Sequence, residues 1–192
     1  IFRNAIIQPN NCKTYVDLCK LLSQYISEHY SITIENFILE KCDSYLDEVE
    51  NIESLNDKNN YDDYCQLIKK KLCNVGNIQL LGELYNNNLI DDIPITKIID
   101  LLLNNTSSDK LTEYNQDYII NNVDCLFKLL STIYVKNYLF IVNYIDTIKE
   151  RTSNKNYPAK ARFMYMDIAD IHKKLKLKLK LKIFKDFVII YN

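Results

Sequence analysis

The sequence predicts an all-α fold, built as an α-solenoid of stacked antiparallel helix hairpins. Its 192 residues contain only two glycines and three prolines, which are too few for the many tight turns of a β-sandwich or a barrel. Apolar residues recur at intervals of three and four along most of the chain, as in helices with one buried face. Short polar connections separate these segments, which favours hairpins that stack in sequence order.

Three helices are predicted in the amino-terminal half. The first follows a turn at residues 9–11 and carries an apolar stripe that begins at Cys12. A polar loop over residues 50–60 separates the second helix from the third. The asparagine triplet at residues 86–88 ends the third, because asparagine favours turns. These helices are expected over residues 12–27, 34–49 and 61–85.

Four more helices are predicted in the carboxy-terminal half. Asp91 and Asp92 precede Pro94, and acidic residues with a first-turn proline are typical of a helix start. Pro158 opens the last helix in the same way. Polar loops are expected over residues 104–109 and 152–157. The helices are expected over residues 94–104, 114–133, 138–149 and 158–174.

Lysine and leucine alternate after Lys173. A period of two would place leucine on one face of a β-strand and lysine on the other, but a lone strand finds no pairing partner in an all-α domain. We therefore expect one helical domain over residues 1–174 and a low-complexity tail over residues 175–192 that lies outside the core. A functional basic strand is the alternative.

Both glycines fall in the third predicted helix, where each costs about 1 kcal/mol relative to alanine. Gly82 lies one residue off the apolar stripe formed by Ile78, Leu81 and Tyr85. We therefore expect Gly82 to serve helix packing, with the backbone of a neighbouring helix approaching closely. A phosphate-binding loop is not expected at Gly76 or Gly82, because the Gly-Lys-Ser/Thr element is missing.

Composition disfavours several classes of protein. Six cysteines are scattered singly through apolar stretches, which favours reduced core thiols over disulfides. His29 and His172 lie far apart without a Cys-x-x-Cys pair, so neither a metal nor another cofactor is expected. The sequence shows no nucleophile–base pair of the kind that would indicate an enzyme. The sequence also lacks a run of about eighteen apolar residues, which a membrane-spanning helix would need. The chain begins with isoleucine, and we expect an internal piece of a longer cytoplasmic protein.

Residues 76–85 read Gly-Asn-Ile-Gln-Leu-Leu-Gly-Glu-Leu-Tyr, and three further blocks follow the same order as in one known family. Together they resemble the middle domain of eukaryotic translation initiation factor 4G, whose signature is Gly-Asn-Ile-x-Phe-Ile-Gly-Glu-Leu-[Phe/Tyr]. The further blocks are residues 1–9 with Tyr15 and Cys19, residues 125–133 (Cys-Leu-Phe-Lys-Leu-Leu-Ser-Thr-Ile) and residues 161–170 (Ala-Arg-Phe-Met-Tyr-Met-Asp-Ile-Ala-Asp).

The resemblance implies a HEAT-like scaffold without catalytic activity. Its partner would be a DEAD-box RNA helicase of the initiation factor 4A type, whose two lobes the scaffold holds in a productive arrangement. RNA contact is also implied, whereas the cap-binding protein would be reached through regions outside this chain. The chain would be a monomeric module of a larger protein. The alternatives are a sibling domain acting in mRNA decay, splicing or nuclear cap binding, and a passive interaction module that does not stimulate a helicase.

The resemblance places the helicase contact on the last predicted helix, where arginine and an aromatic ring beside carboxylates match common interface anchors. The expected contact residues are Lys160, Arg162, Phe163, Asp167 and Asp170. Phe163 could instead belong to the buried stripe of that helix, and Arg162 could form an ordinary salt bridge with Asp167 or Asp170. Lys160 and His172 stand where the family pattern has arginine, and lysine lacks the bidentate fork of arginine.

The charge is divided along the chain. Residues 1–148 carry net −9 and residues 149–192 carry net +8, so the basic end could steer towards RNA or an acidic helicase lobe. The run Lys69, Lys70 and Lys71 is a second, weaker RNA candidate. Tyr134, Leu139 and Phe140 fit the motif by which the resembled factor grips the cap-binding protein, and we interpret this match as coincidence because it lies between core helices.

Overall fold

The structure is a computed structural model, and it describes residues 1–30, 40, 61–111, 116–134 and 141–190. Over these residues the chain forms seven α-helices and no β-strand, so the predicted all-α class is confirmed. Short 3₁₀ turns lie at Pro9–Asn11 and Ser108–Lys110. The helices are α1 (Phe2–Ile7), α2 (Cys12–His29), α3 (Tyr61–Asn86), α4 (Asp92–Asn105), α5 (Gln116–Ile133), α6 (Ile145–Ser153) and α7 (Ala159–Ile190).

Helices pack on the next helix and, more extensively, on the next but one, with α3 and α5 at the centre. The amino-terminal helices α1 and α2 pack on α3, which packs on α5; α5 in turn contacts α4 and α7, and α6 packs on α7. One hydrophobic core runs through this stack, because the helices bury apolar residues on the sides that face one another. On α3, for example, Ile78, Leu81 and Tyr85 are all buried. The short helix α1 was not predicted from apolar periodicity.

The link between α3 and α4 shows how local sequence sets helix ends. Asn88 adopts a left-handed backbone conformation with φ 58°, and the Leu89 amide donates to the Leu84 carbonyl at 3.0 Å, which closes the end of α3. The Asp91 side chain then accepts a hydrogen bond from the Ile93 amide at 3.1 Å and caps the start of α4. The predicted break at residues 86–88 is therefore found.

The glycines of α3 explain how closely its neighbours approach. A Cβ at Gly76 would overlap the backbone carbonyl oxygen of Ile6 in α1. A Cβ at Gly82 would lie 2.7 Å from the Thr132 Cγ2 atom and 2.9 Å from its Cβ atom, both in α5. The contact expected at Gly82 is thus with a side chain rather than a backbone, and the backbone contact belongs to Gly76.

Three elements differ from expectation or fall outside the description. Of the helix predicted over residues 138–149, residues 138–140 lie outside the described residues, residues 141 and 142 are helical, and residues 143 and 144 form a turn. Helix α6 runs from Ile145 to Ser153, so part of the predicted loop at residues 152–157 is helical. The last helix does not end near residue 174 but continues to Ile190. A strand through the Lys/Leu stretch is therefore wrong. The helix expected over residues 34–49 lies outside the described residues except for residue 40, which is helical.

The helical Lys/Leu stretch follows from intrinsic preference. Leucine and lysine are both strong helix formers, and α7 already has a packed first half onto which further turns can add at little cost. The division between a domain ending at residue 174 and a tail outside the core stays a prediction. No helix in the described ranges is both long and apolar enough to cross a bilayer.

Candidate functional site

The first half of α7 has a buried face and an exposed face. The buried face packs against α5 and α6 and includes Ala161, Tyr165 and Ile168. Lys160, Phe163, Asp167 and Asp170 are three, four and three residues apart, so they project from one side of the helix, and all four are exposed. We call these four residues, with exposed Met166, the outer face of α7.

Phe163 is the most informative residue of the outer face. Its side chain is 63% exposed, whereas Ile168 is 1% exposed. The alternative that Phe163 belongs to the buried stripe is therefore wrong. A phenylalanine held in water gives up the burial free energy that its ring could supply, about 1.5–3 kcal/mol for full burial. Exposed Met166 lies three residues along α7 and extends this apolar surface.

Arg162 lies at the edge between the two faces and is partly buried. Its Nε atom is buried and has no hydrogen-bond partner. Over the described part of the chain, no ion pair joins Arg162 to Asp167 or Asp170, and Asp170 instead pairs with Lys173 at 3.0 Å. The salt-bridge alternative for Arg162 is therefore wrong, and the guanidinium remains available to an external carboxylate.

A buried polar network fixes α7 in place, and its members were not foreseen from the sequence. The Arg151 guanidinium of α6 donates hydrogen bonds to Thr106 Oγ1, to Tyr165 Oη at 3.0 Å and to the Leu103 carbonyl oxygen at 2.9 Å. The Tyr165 hydroxyl also donates to Thr106 Oγ1 at 2.9 Å. We call these residues, with Tyr157, the Arg151 network. It joins α4, α6 and α7 at one point.

Helix polarity explains why a cation is tolerated there. Leu103 and Thr106 lie at the carboxyl end of α4, where the exposed carbonyl groups carry partial negative charge. The guanidinium also lies 5.9 Å from the Tyr157 ring centroid and 5.7 Å from that of Tyr165, within reach of a cation–π attraction. Arg151 therefore caps α4 from a distant part of the sequence.

Tyr157 completes the network from the connection between α6 and α7. Its hydroxyl donates to the Thr106 carbonyl oxygen at 2.6 Å. Burial raises the pKa of Tyr157, and the neighbouring Arg151 charge opposes that rise. The phenol thus stays protonated and continues to donate this hydrogen bond.

The other predicted positions behave differently. Lys69 is exposed, whereas Lys70 and Lys71 are half-buried, and Lys71 Nζ lies 3.8 Å from Asp117 Oδ2 of α5. Part of this basic run therefore faces a neighbouring helix. Tyr134 is buried, which agrees with a coincidental match to the cap-binding motif; residues 139 and 140 lie outside the described ranges.

The described residues contain no cluster of three or more histidine, cysteine or acidic side chains that could hold a metal ion. Sequence reasoning missed Arg151 because the run Lys149-Glu150-Arg151 looks like a solvated surface segment. The available signal was weak: Arg151 is three residues after Ile148, on the apolar side of α6.

Comparison with known proteins gives one consistent result. The profile of the MIF4G domain matches residues 1–174. Eukaryotic translation initiation factor 4G from Arabidopsis thaliana is 27% identical to this chain over 191 residues, and those from Triticum aestivum and Oryza sativa subsp. japonica are each 25% identical over 191 residues. Each alignment covers 90% of this chain and 10–12% of the relative, so the chain spans about a tenth of their length. No solved structure matches it.

Proposed function

The chain belongs to the MIF4G domain family, and on that premise we propose that it is the helicase-docking module of a cytoplasmic translation initiation scaffold. Its partner is a DEAD-box RNA helicase of the initiation factor 4A type. The relatives named above are initiation factors, which supports the scaffold role. The observation that carries the helicase contact is the exposed phenylalanine on the outer face of α7, beside an arginine that no carboxylate of the described chain engages.

The outer face has the composition of an interface anchor. Aromatic residues and arginine supply most of the binding free energy at protein interfaces, and carboxylates around them fix the register of the partner. Phe163 and Met166 provide apolar area, Arg162 a cation that no carboxylate of the described residues pairs with, and Asp167 and Asp170 two exposed carboxylates. A helicase lobe that presents an apolar cleft with a carboxylate near Arg162 and basic groups near the two aspartates would complement this face.

Rigidity makes the contact useful to a two-lobed enzyme. The Arg151 network ties α7 to α4 and α6, and α7 also packs on central α5. A helicase lobe bound to the outer face is thereby held at a fixed position relative to the whole stack. A second contact elsewhere on the scaffold would restrict the lobe motions that accompany ATP turnover. The scaffold itself carries out no chemistry in this proposal.

The test is binding of the purified chain to a recombinant helicase of the initiation factor 4A type, with the helicase ATPase rate as second readout. Phe163→Ala should weaken binding about tenfold or more, as expected for an aromatic anchor, and should reduce the ATPase stimulation in proportion. Ile93→Ala is the matched control, because Ile93 on α4 is also 63% exposed; it should leave both readouts unchanged. If the wild-type chain neither binds nor alters the ATPase rate, the proposal is overturned.

A further inference from the structure

α7 extends well beyond the domain that the family shares. The MIF4G match ends at residue 174, yet α7 continues without a break to Ile190. At a rise of about 1.5 Å per residue, the added turns reach about 24 Å past the end of the match. We call residues 175–190 the α7 extension.

Two leucines of the extension stay in water. Leu177 and Leu181 are each 60% exposed, about the same fraction as Phe163. Leu177 lies fourteen residues after Phe163, with Asp170 midway between them. A straight helix turns back to almost the same side every seven residues, with a drift of about 20°, so these three side chains share one side of α7. Leu181 adds the next turn on the same side.

The charges along that side change sign. Asp167 and Asp170 are exposed in the first half, whereas Lys174, Lys176 and Lys178 are exposed where the extension begins. The sequence from residue 173 to residue 185 contains seven lysines and no acidic residue. A ligand lying along α7 would therefore meet carboxylates first, then apolar side chains flanked by lysines.

We propose that the α7 extension is a second part of the helicase-docking surface. Its apolar strip, Leu177 and Leu181, contacts the same helicase lobe, and carboxylates of that lobe flank the strip and face the lysines of the extension. The inference rests on the proposed function, since it continues the contact made by Phe163. Two exposed leucines in register with Phe163 favour a protein surface, because polyanion binding would use the lysines and leave the leucines in water. Self-association of two parallel extensions is disfavoured, because their lysines would lie side by side.

The experiment measures affinity for a recombinant helicase of the initiation factor 4A type by titration calorimetry. The double variant Leu177→Ala and Leu181→Ala keeps helix propensity and charge, and it should bind about tenfold more weakly than the wild type. The matched control is the double variant Leu21→Ala and Leu72→Ala, because these leucines on α2 and α3 are 63% and 66% exposed. The control should bind like the wild type.

The triple variant Lys174→Gln, Lys176→Gln and Lys178→Gln supplies a second arm. On the proposal it should lower helicase affinity and flatten the dependence of that affinity on salt concentration. If Phe163→Ala weakens helicase binding but the double variant Leu177→Ala and Leu181→Ala binds like the wild type, this inference is overturned and the proposed function stands. If the triple lysine variant loses affinity for a fluorescent single-stranded RNA but keeps its affinity for the helicase, this inference is also overturned. Absence of any wild-type binding would overturn both.

Discussion

The two ends of the helix stack are held together by opposite means. At the amino-terminal side, α3 meets α1 and α5 at positions where side chains are missing, at Gly76 and Gly82. At the carboxy-terminal side, α4, α6 and α7 meet around the Arg151 network, where long polar side chains fill the space. The first contact depends on close approach, and the second on several hydrogen bonds centred on Arg151 and Thr106.

The difference teaches how each end should respond to mutation. A close backbone approach has no spare room, so a single added methyl group must displace a helix. A network with several donors and acceptors can lose some of its hydrogen bonds while the remaining groups still restrain the helices. Substitutions at each end of the stack therefore distinguish the two kinds of contact.

Gly76→Ala should be the most damaging change. The new methyl group would overlap the Ile6 carbonyl oxygen, a backbone atom that cannot move without shifting α1. We expect a net loss of about 3 kcal/mol in the free energy of unfolding, in spite of the better helix propensity of alanine. Chemical denaturation measured by far-ultraviolet circular dichroism checks this.

Gly82→Ala is the matched control for that variant, since it makes the same substitution in the same helix. The atoms that its Cβ meets belong to the side chain of Thr132; rotation about χ1 can move the Thr132 Cγ2 atom away, whereas the Thr132 Cβ atom requires a small shift of α5. We expect a loss of only about 1 kcal/mol. A loss at Gly82 equal to or larger than that at Gly76 would contradict the assignment of the backbone contact.

Arg151→Met should have an intermediate effect. Methionine keeps much of the apolar stem but removes the hydrogen bonds to Thr106, Tyr165 and Leu103. Thr106 Oγ1 still donates to the Leu102 carbonyl oxygen at 2.8 Å, so part of the network survives. We expect a loss of about 2 kcal/mol, with faster amide hydrogen exchange at the end of α4 and in α6. Exchange that accelerates in α1 instead would show that the network does not act locally.

His172 should give the smallest effect, visible as a pH dependence. It is buried on α7, and burial is the largest cause that lowers its pKa; Lys149 of α6 and Lys176 of α7 lower it further, and Asp146 of α6 opposes them. The unfolded state therefore binds the proton more readily than the folded state. The stabilising contribution is complete above the unfolded pKa of about 6.5 and is lost as the pH falls through the lower folded value.

The measurement is the melting temperature of the wild type and of His172→Gln between about pH 7.5 and 5. The wild type should lose more stability than the variant over this range, because the variant has no group to protonate at this position. Parallel curves for the two proteins would contradict the assigned direction of the pKa shift.

Sequence patterns predicted most helices because each helix carries its own signals. The apolar stripe of α3, the asparagine triplet after it and the acidic start of α4 are all local, and the structure follows them. The continuation of α7 through the Lys/Leu stretch was not predicted, because a period of two was given more weight than the strong helix preference of both residue types. Continuation from a packed helix decided the outcome.

The candidate site was less accessible to sequence reasoning. The spacing of Lys160, Phe163, Asp167 and Asp170 could place them on one side of a helix, but only packing decides which side faces water. The Arg151 network could not be predicted, since its partners lie 14 to 48 residues from Arg151 in the sequence. The backbone contact was expected at Gly82 but lies at Gly76. This too could not be predicted from local sequence, because the contacting helix α1 is distant in the chain.

Thr106 also orders events during synthesis. Its hydrogen-bond donors Arg151, Tyr157 and Tyr165 are made 45, 51 and 59 residues later. A nascent chain that has emerged only through α5 therefore lacks the hydrogen bonds that Arg151, Tyr157 and Tyr165 make at the end of α4, and only local bonds such as that from Thr106 Oγ1 to the Leu102 carbonyl oxygen hold this turn. The amino-terminal helices can assemble on α3 at that stage, whereas the end of α4 is locked only when α6 and α7 arrive. A product released before Arg151 would lack the contacts that tie this end to α6 and α7, and proteases act first on weakly held segments.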